Sequence, residues 1–329
     1  MRRDFRFDCV RVCALLLVLV CHLVQVFDIA GGERIHDICA YIGNSMFFIL
    51  SGLLLGRTWC AKGCPHYDIK FLMQRFLKLW LPFLSFMIPY IIWLSFSRGI
   101  SVMDALMNVF MLSWFAKLPA AGHLWFVTAI LMLYLVMMIL SRSKKTYRVF
   151  LGSVLTAVAL ICDITMHMVG IKQAYLMPLL TAGSIFFLFA DKIKLPDRFR
   201  NLMFMLFVCL AGCCVLIILP KDRILVSDYW LGIVSAGGAM GMIIVASSYI
   251  AQGYLTTTIR FLSGISFPVY LVHCVFLSDI VLPFRTMIPN DILFSFLYFI
   301  FAVIFGWLIN SLACLVTICV KKVKYSKQQ

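Results

Sequence analysis

Apolar runs recur from one end of the chain to the other, broken only by short polar gaps. A helix needs about 20 apolar residues to cross the hydrocarbon at 1.5 Å per residue, and most of these runs reach that length. Hydropathy predicts ten spans at about 10–30, 38–56, 78–97, 124–140, 149–167, 175–190, 202–219, 229–250, 263–282 and 293–319. A further run, Val102 to Phe115, is roughly 14 residues long and carries Asp104 and Asn108, so it is too short to cross and predicts a re-entrant or interfacial helix. The linkers are short: Ser141 to Arg148, Asp191 to Asn201, and nine residues from Pro220 to Asp228. They leave no room for a catalytic domain outside the bundle. The expected fold is therefore all-α, one polytopic transmembrane bundle over residues 1–329, with its chemistry inside the bundle or at its rims.

Composition removes the soluble alternative. Hydrophobic residues make up 63% of the chain and charged residues 13%, and mean hydropathy is +1.01. A soluble globule cannot hide that much apolar surface. The net charge of +15 raises the question of nucleic acid, but the cations are sorted by membrane side. With the N-terminus inside, 22 of the 29 lysines and arginines fall in cytoplasmic segments. That obeys the positive-inside rule, so the charge reflects topology, not nucleic-acid binding, with both termini in the cytoplasm of a multi-pass cell-membrane protein. Val10 to Ala30 imitates a signal peptide but exceeds a secretory apolar core and lacks a cleavage site, which predicts an uncleaved first span. The 13 cysteines lie mostly in apolar runs, as small buried residues do. Cys60, Cys64 and His66 match no standard zinc spacing, and no metal is expected.

Ionisable groups inside a span cost several kcal/mol unless paired or facing a cavity, so each one is a candidate for function. The first span holds Asp8, Arg11 and His22. Arg11 and His22 are eleven residues apart, which returns them to one stripe of a helix, about 16 Å apart. That predicts Arg11 at the cytoplasmic rim, His22 near the bilayer centre, and Asp8 holding the guanidinium from three residues away. In the second span Asn44 is expected at the depth of His22, and Ser51-Gly52 nearer the cytoplasm, where small residues allow close helix approach. Arg75 and Lys78 at the start of the third span share a face and suit phosphate groups. His123 and the interface anchor Trp125 open the fourth span, and Tyr270 with His273 reach mid-depth in the ninth. Asp163 and His167 read as an interfacial pair near the outer rim.

Several of these segments resemble the membrane acyltransferase-3 family. Arg11 followed by ten residues and His22 is similar to its Arg-x10-His signature. Phe47 to Gly52 resembles its second-span Phe-Phe-x-Leu-Ser-Gly element, and the blocks at 123–126 and 270–273 follow in the family's order. The third-span pair is Arg75-x-x-Lys78, where the family often has two arginines; lysine keeps the charge without the bidentate fork. The resemblance runs from about residue 4 to 320. It implies an acyl-CoA donor, acetyl-CoA foremost, on the cytoplasmic side, and an acceptor hydroxyl or amine on a glycan or its lipid-linked precursor.

On that resemblance, His22 is the general base with Asp8 and Arg11 beside it, and Arg11, Arg75, Lys78 and Ser51 hold the donor. Asn44, His123, Trp125, Tyr270 and His273 face the acceptor. The histidine could instead carry the acyl group covalently. The leading rival is a transporter or flippase, which also binds its substrate between helices at mid-membrane, and the absence of an evident inverted repeat weighs against it; a second is a non-catalytic anchor or scaffold inside a larger polysaccharide assembly.

Overall fold

The computed structural model describes residues 4–27, 31–168, 176–193, 199–218, 228–250, 253–277 and 284–326. Of the loop expected from Pro220 to Asp228 only Asp228 is among them; Lys194, Arg198 and the side chain of His167 lie outside. Among the described residues the chain is all-helical, with no strand. In chain order the helices are α1 (Phe5–Val24), α2 (Gly32–Ala61), α3 (Ile69–Ser97), α4 (Val102–Val109), α5 (Trp125–Leu140) and α6 (Arg148–Met168). There follow α7 (Leu176–Leu188), α8 (Phe199–Ile218), α9 (Tyr229–Ser247), α10 (Tyr254–Val272), α11 (Phe284–Met287) and α12 (Asp291–Ser326). Among the described residues eight helices are long and apolar enough to cross a membrane. Each of the ten expected spans falls on a helix; α7 and the apolar part of α8 are the two that are shorter.

Three of the boundaries that move bear on the site or on the irregular stretch. Hydropathy runs on to Ala30, but α1 stops at Val24 with Gln25 as its cap, because the chain must reverse into α2 through Gly31, whose φ is +79°. α3 starts at Ile69, so Arg75 and Lys78 lie within the helix and not at its first turn. The segment expected as helix from Val102 to Phe115 is helical only to Val109. Ser101 caps its start by accepting from the Asp104 N–H, and Met111 has a φ of +59° that no helix tolerates.

The chain divides into two compact units. The first comprises Met1–Ile69 and Met132–Ser263. Its core joins Val10 and Ala14 of α1, Met46, Ile49 and Leu53 of α2, Ala182 of α7, and Met240 and Ile244 of α9. Lipid tails are as apolar as these side chains, so helix association depends on close packing, and small residues permit it. Gly52 and Gly56, one turn apart on α2, let its backbone meet that of α7: a Cβ would fall 2.0 Å from the Gly183 carbonyl oxygen at Gly52 and 2.4 Å from that of Phe187 at Gly56. Gly238 of α9 does the same against the backbone of Met205 and Cys209 on α8, and Gly241 makes room for the Met205 side chain. The outward stripe of α6, Val154, Val158 and Ile161, is exposed and apolar, as a lipid-facing surface must be.

The second unit comprises Lys70–Leu131 and Gly264–Gln329. Its irregular stretch after α4 is held by side chains. Asn108 donates to the Asp104 and Ala116 carbonyls, Thr128 donates to the Met111 carbonyl, and Trp80 donates to that of Val109. Tyr90 donates to the Pro119 carbonyl. Backbone groups at membrane depth that helix bonding does not satisfy need such partners. On α12, Gly306 abuts Val269, and Phe305, Leu308, Leu312 and Leu315 form an exposed apolar stripe.

Replacing Gly52 by Val puts carbon where the Gly183 carbonyl lies, so overpacking should cost about 1–3 kcal/mol or more. Thermal unfolding of the detergent-purified variant should begin several degrees below wild type, while Gly264→Ala, which meets open space, should leave it unchanged.

Candidate functional site

In the first unit the start of α1 carries a buried carboxylate. Asp8 is 1% exposed, and a carboxylate there requires hydrogen-bond donors. Ser263 supplies one: its hydroxyl donates to Asp8 Oδ1 at 2.6 Å and accepts from Arg11 Nη1 at 2.9 Å. The direct Arg11–Asp8 contact is longer, 3.5 Å. The expected pair is therefore a triad, in which the serine hydroxyl sits between the charges and orients the guanidinium.

More cations gather at this end. Arg6 forks onto Asp4 through Nε and Nη2, at 3.1 and 2.8 Å, and this hydrogen bond holds the Asp4 carboxyl below the usual carboxylate range. Arg57 lies over the Phe7 ring at 5.5 Å and Arg260 over Phe5 at 5.8 Å. Arg6, Arg11, Arg57 and Arg260 make a cationic rim within this one unit. Sequence reasoning counted Arg57 and Arg260 only as positive-inside anchors and passed over Ser263, because serine in an apolar run reads as a small packing residue.

His22 lies in the last turn of α1, not at its middle as expected. Its Nδ1 is 3.4 Å from Gln25 Oε1. An amide oxygen only accepts, so Nδ1 carries the proton and the lone pair is on Nε2. The ring meets that of His36 on α2 edge-on, with centroids 6.0 Å apart. Asn44 is not level with His22. A Cβ on its neighbour Gly43 would fall 3.1 Å from Val18 and 3.2 Å from the Ala14 carbonyl, which sets Asn44 roughly 9 Å back toward Arg11. There its amide donates to the Tyr229 hydroxyl at 3.4 Å. Ser51 lies further along α2 beside Gly52, in the stretch that packs on α7. Asp163 is buried and accepts from the Trp230 indole at 3.0 Å, while the side chain of His167, its expected partner, lies outside the described residues.

In the second unit His123, Tyr270 and His273 come together, and each bonds a backbone group at a helix end. A helix leaves its last four carbonyls without partners. At the end of α10, His123 Nε2 is 3.2 Å from the Leu271 carbonyl oxygen and His273 Nδ1 is 2.6 Å from that of Tyr270. The Tyr270 hydroxyl donates in turn to the His123 carbonyl. The two imidazoles stand edge to face, 4.7 Å apart. His273 opens a 3-10 turn after α10 and is not mid-helix, and His123 lies in another just before α5. Trp125 begins α5 and packs edge-on against Trp114, centroids 5.8 Å apart. On α3, Arg75 rests over Phe71 one turn back at 5.5 Å, and Lys78 is exposed.

The sequence profile described as an acyltransferase domain, Acyl_transf_3, matches residues 4–311. The chain belongs to the acyltransferase-3 family. The match begins at the cap of α1, ends within α12, and takes in every candidate residue named above. No curated protein and no solved structure matched. As a member of a membrane acyltransferase family with eight helices fit to span a bilayer, it is a multi-pass membrane protein.

Two outcomes check these contacts in the acyltransferase. Ser263→Ala should lower stability by about 1–3 kcal/mol, since it removes the nearer partner of a buried carboxylate, whereas Ser263→Thr should retain most of it. His273→Leu should leave the Tyr270 carbonyl without its imidazole and speed amide hydrogen exchange at the end of α10, with little change in α1.

Proposed function

We propose that this acyltransferase moves an acyl group, in the first instance acetyl, from acyl-CoA to a hydroxyl of a sugar or cell-surface glycan precursor, with an amine as the less favoured acceptor. The chain works in the cell membrane with both termini in the cytoplasm. The observation that carries this reading is the arrangement along α1: a guanidinium fixed by Asp8 and Ser263 near one end and an imidazole with its lone pair on Nε2 near the other. They lie on one stripe about 16 Å apart.

Each part suits one portion of the donor. Phosphate groups favour guanidinium donors; Arg11, Arg57 and Arg260 bring three within the first unit, and Arg6, whose fork is on Asp4, adds its charge. Arg75 and Lys78 keep the phosphate role that their charge suggests, with Lys78 as a point charge. The thioester at the end of the pantetheine arm would then lie toward His22. His22 Nε2 takes the proton of the acceptor hydroxyl as its oxygen attacks the thioester carbonyl. The C–O bond forms, the C–S bond breaks, and the imidazolium returns its proton to the departing thiolate. Gln25, by accepting from Nδ1, keeps the reactive nitrogen unprotonated for the next turnover.

Purified protein in lipid should transfer label from acetyl-CoA, or hydrolyse it slowly when acceptor is missing. His22→Ala should lower the rate about 10²–10⁴-fold with folding intact. Arg11→Ala should raise KM for acetyl-CoA more than it lowers kcat. An undiminished rate in His22→Ala sinks the base assignment, and label crossing proteoliposomes without acyl-CoA sinks the transferase. Mass spectrometry of surface glycans with and without the protein should differ by one acyl group.

A further inference from the structure

Beside His22 lie two more metal-ligating side chains from different turns of the first unit. Cys21 precedes it on α1, and His36 comes from the first turns of α2 after the chain reverses. The Cys21 sulfur and one ring nitrogen of each histidine all lie within 4.8 Å of one another. A tetrahedral ion with sulfur at about 2.3 Å and nitrogens at about 2.0 Å needs only small side-chain adjustments to draw such a set together.

The surroundings suit a cation as well. His36 Nδ1 is 3.1 Å from Asp37 Oδ1, and His22 Nδ1 is 3.4 Å from Gln25 Oε1. Both oxygens accept, so both rings carry their proton on Nδ1 and offer Nε2 as the ligand. Imidazoles that bind metal almost always have this second hydrogen bond, which fixes the tautomer and raises basicity. The ring planes meet at 66°, as two imidazoles converging on one point do. Cys21 is buried, and two imidazoles with one thiolate are the donor set of a borderline ion such as Zn2+.

We propose that Cys21, His22 and His36 bind one divalent transition-metal ion of the zinc class, and that this ion and the acceptor's proton compete for the same lone pair on His22 Nε2. Binding replaces the thiol proton: the S–H bond breaks, the sulfur–metal bond forms, and the proton leaves to solvent. Three protein ligands leave a fourth position for water. Occupied in this way, His22 no longer accepts a proton, so zinc inhibits acyl transfer. The inhibitory consequence rests on His22 being the base; the site itself does not. Sequence spacing concealed it, because the ligands come from two helices separated by a turn.

The full chain in detergent should be titrated with Co2+, which reports thiolate ligation through a sulfur-to-metal charge-transfer absorption. One Co2+ per chain should bind and Zn2+ should displace it. Cys21→Ser should abolish the band, His36→Gln should weaken binding at least about tenfold, and Asp37→Asn should weaken it about tenfold through the outer hydrogen bond. Cys21→Ser should keep basal transfer and its unfolding temperature and lose inhibition by Zn2+. No cobalt band in the wild type, or a band unchanged in both Cys21→Ser and His36→Gln, overturns the site. A wild-type band together with full activity in His22→Ala instead leaves the site standing and removes the base reading.

Discussion

A carboxylate out of reach of water governs the structure at the start of α1. Asp8 is buried beside the rim of a helix that is otherwise apolar for most of its length, and an ionised group there must be given donors or forced to take up a proton. Ser263 and Arg11 answer that demand together. Meeting it costs Arg11 its freedom, since a side chain with many rotamers is held by one nitrogen at a defined point. The guanidinium becomes a preorganised anion receptor, and Arg6, Arg57 and Arg260 extend the positive field around it.

The opposite requirement operates at the ends of helices. Membrane-embedded backbone must be satisfied within the protein, and the last carbonyls of a helix have no partner of their own. His123 and His273 take two carbonyls at the end of α10. His22 also stands in the last turn of its helix, and its ring engages the Gln25 side chain. The three histidines differ in their neighbours: two bond carbonyls at the end of α10, while the third lies beside a thiol and another imidazole.

The long apolar runs made the helices legible, and the Arg-x10-His spacing made the stripe on α1 legible, because both depend on periodicity alone. The position of His22 along its helix was not legible because hydropathy carries no mark for where a helix ends when apolar residues continue past it; α1 ends at Val24 and the chain turns into α2 at Gly31, whose φ is positive. Asn44 was misplaced for the same reason, since its level depends on the register of α2 against α1 at Gly43. Gly52 was legible as a small residue, but its partner Gly183 was not, because small residues announce close approach without naming the neighbour. Ser263 and His36 reach the site by tertiary packing, which no local pattern encodes.

The central claim is that His22 Nε2 takes a proton during acyl transfer. Chemical rescue tests it most directly: in His22→Gly, imidazole added in solution can occupy the vacated volume and supply the missing base. Transfer from acetyl-CoA should be restored in proportion to the free-base form of the added imidazole, with KM for acetyl-CoA unchanged. A variant that still binds acetyl-CoA but is not rescued by imidazole at any pH, or one that needs no rescue, would contradict the account.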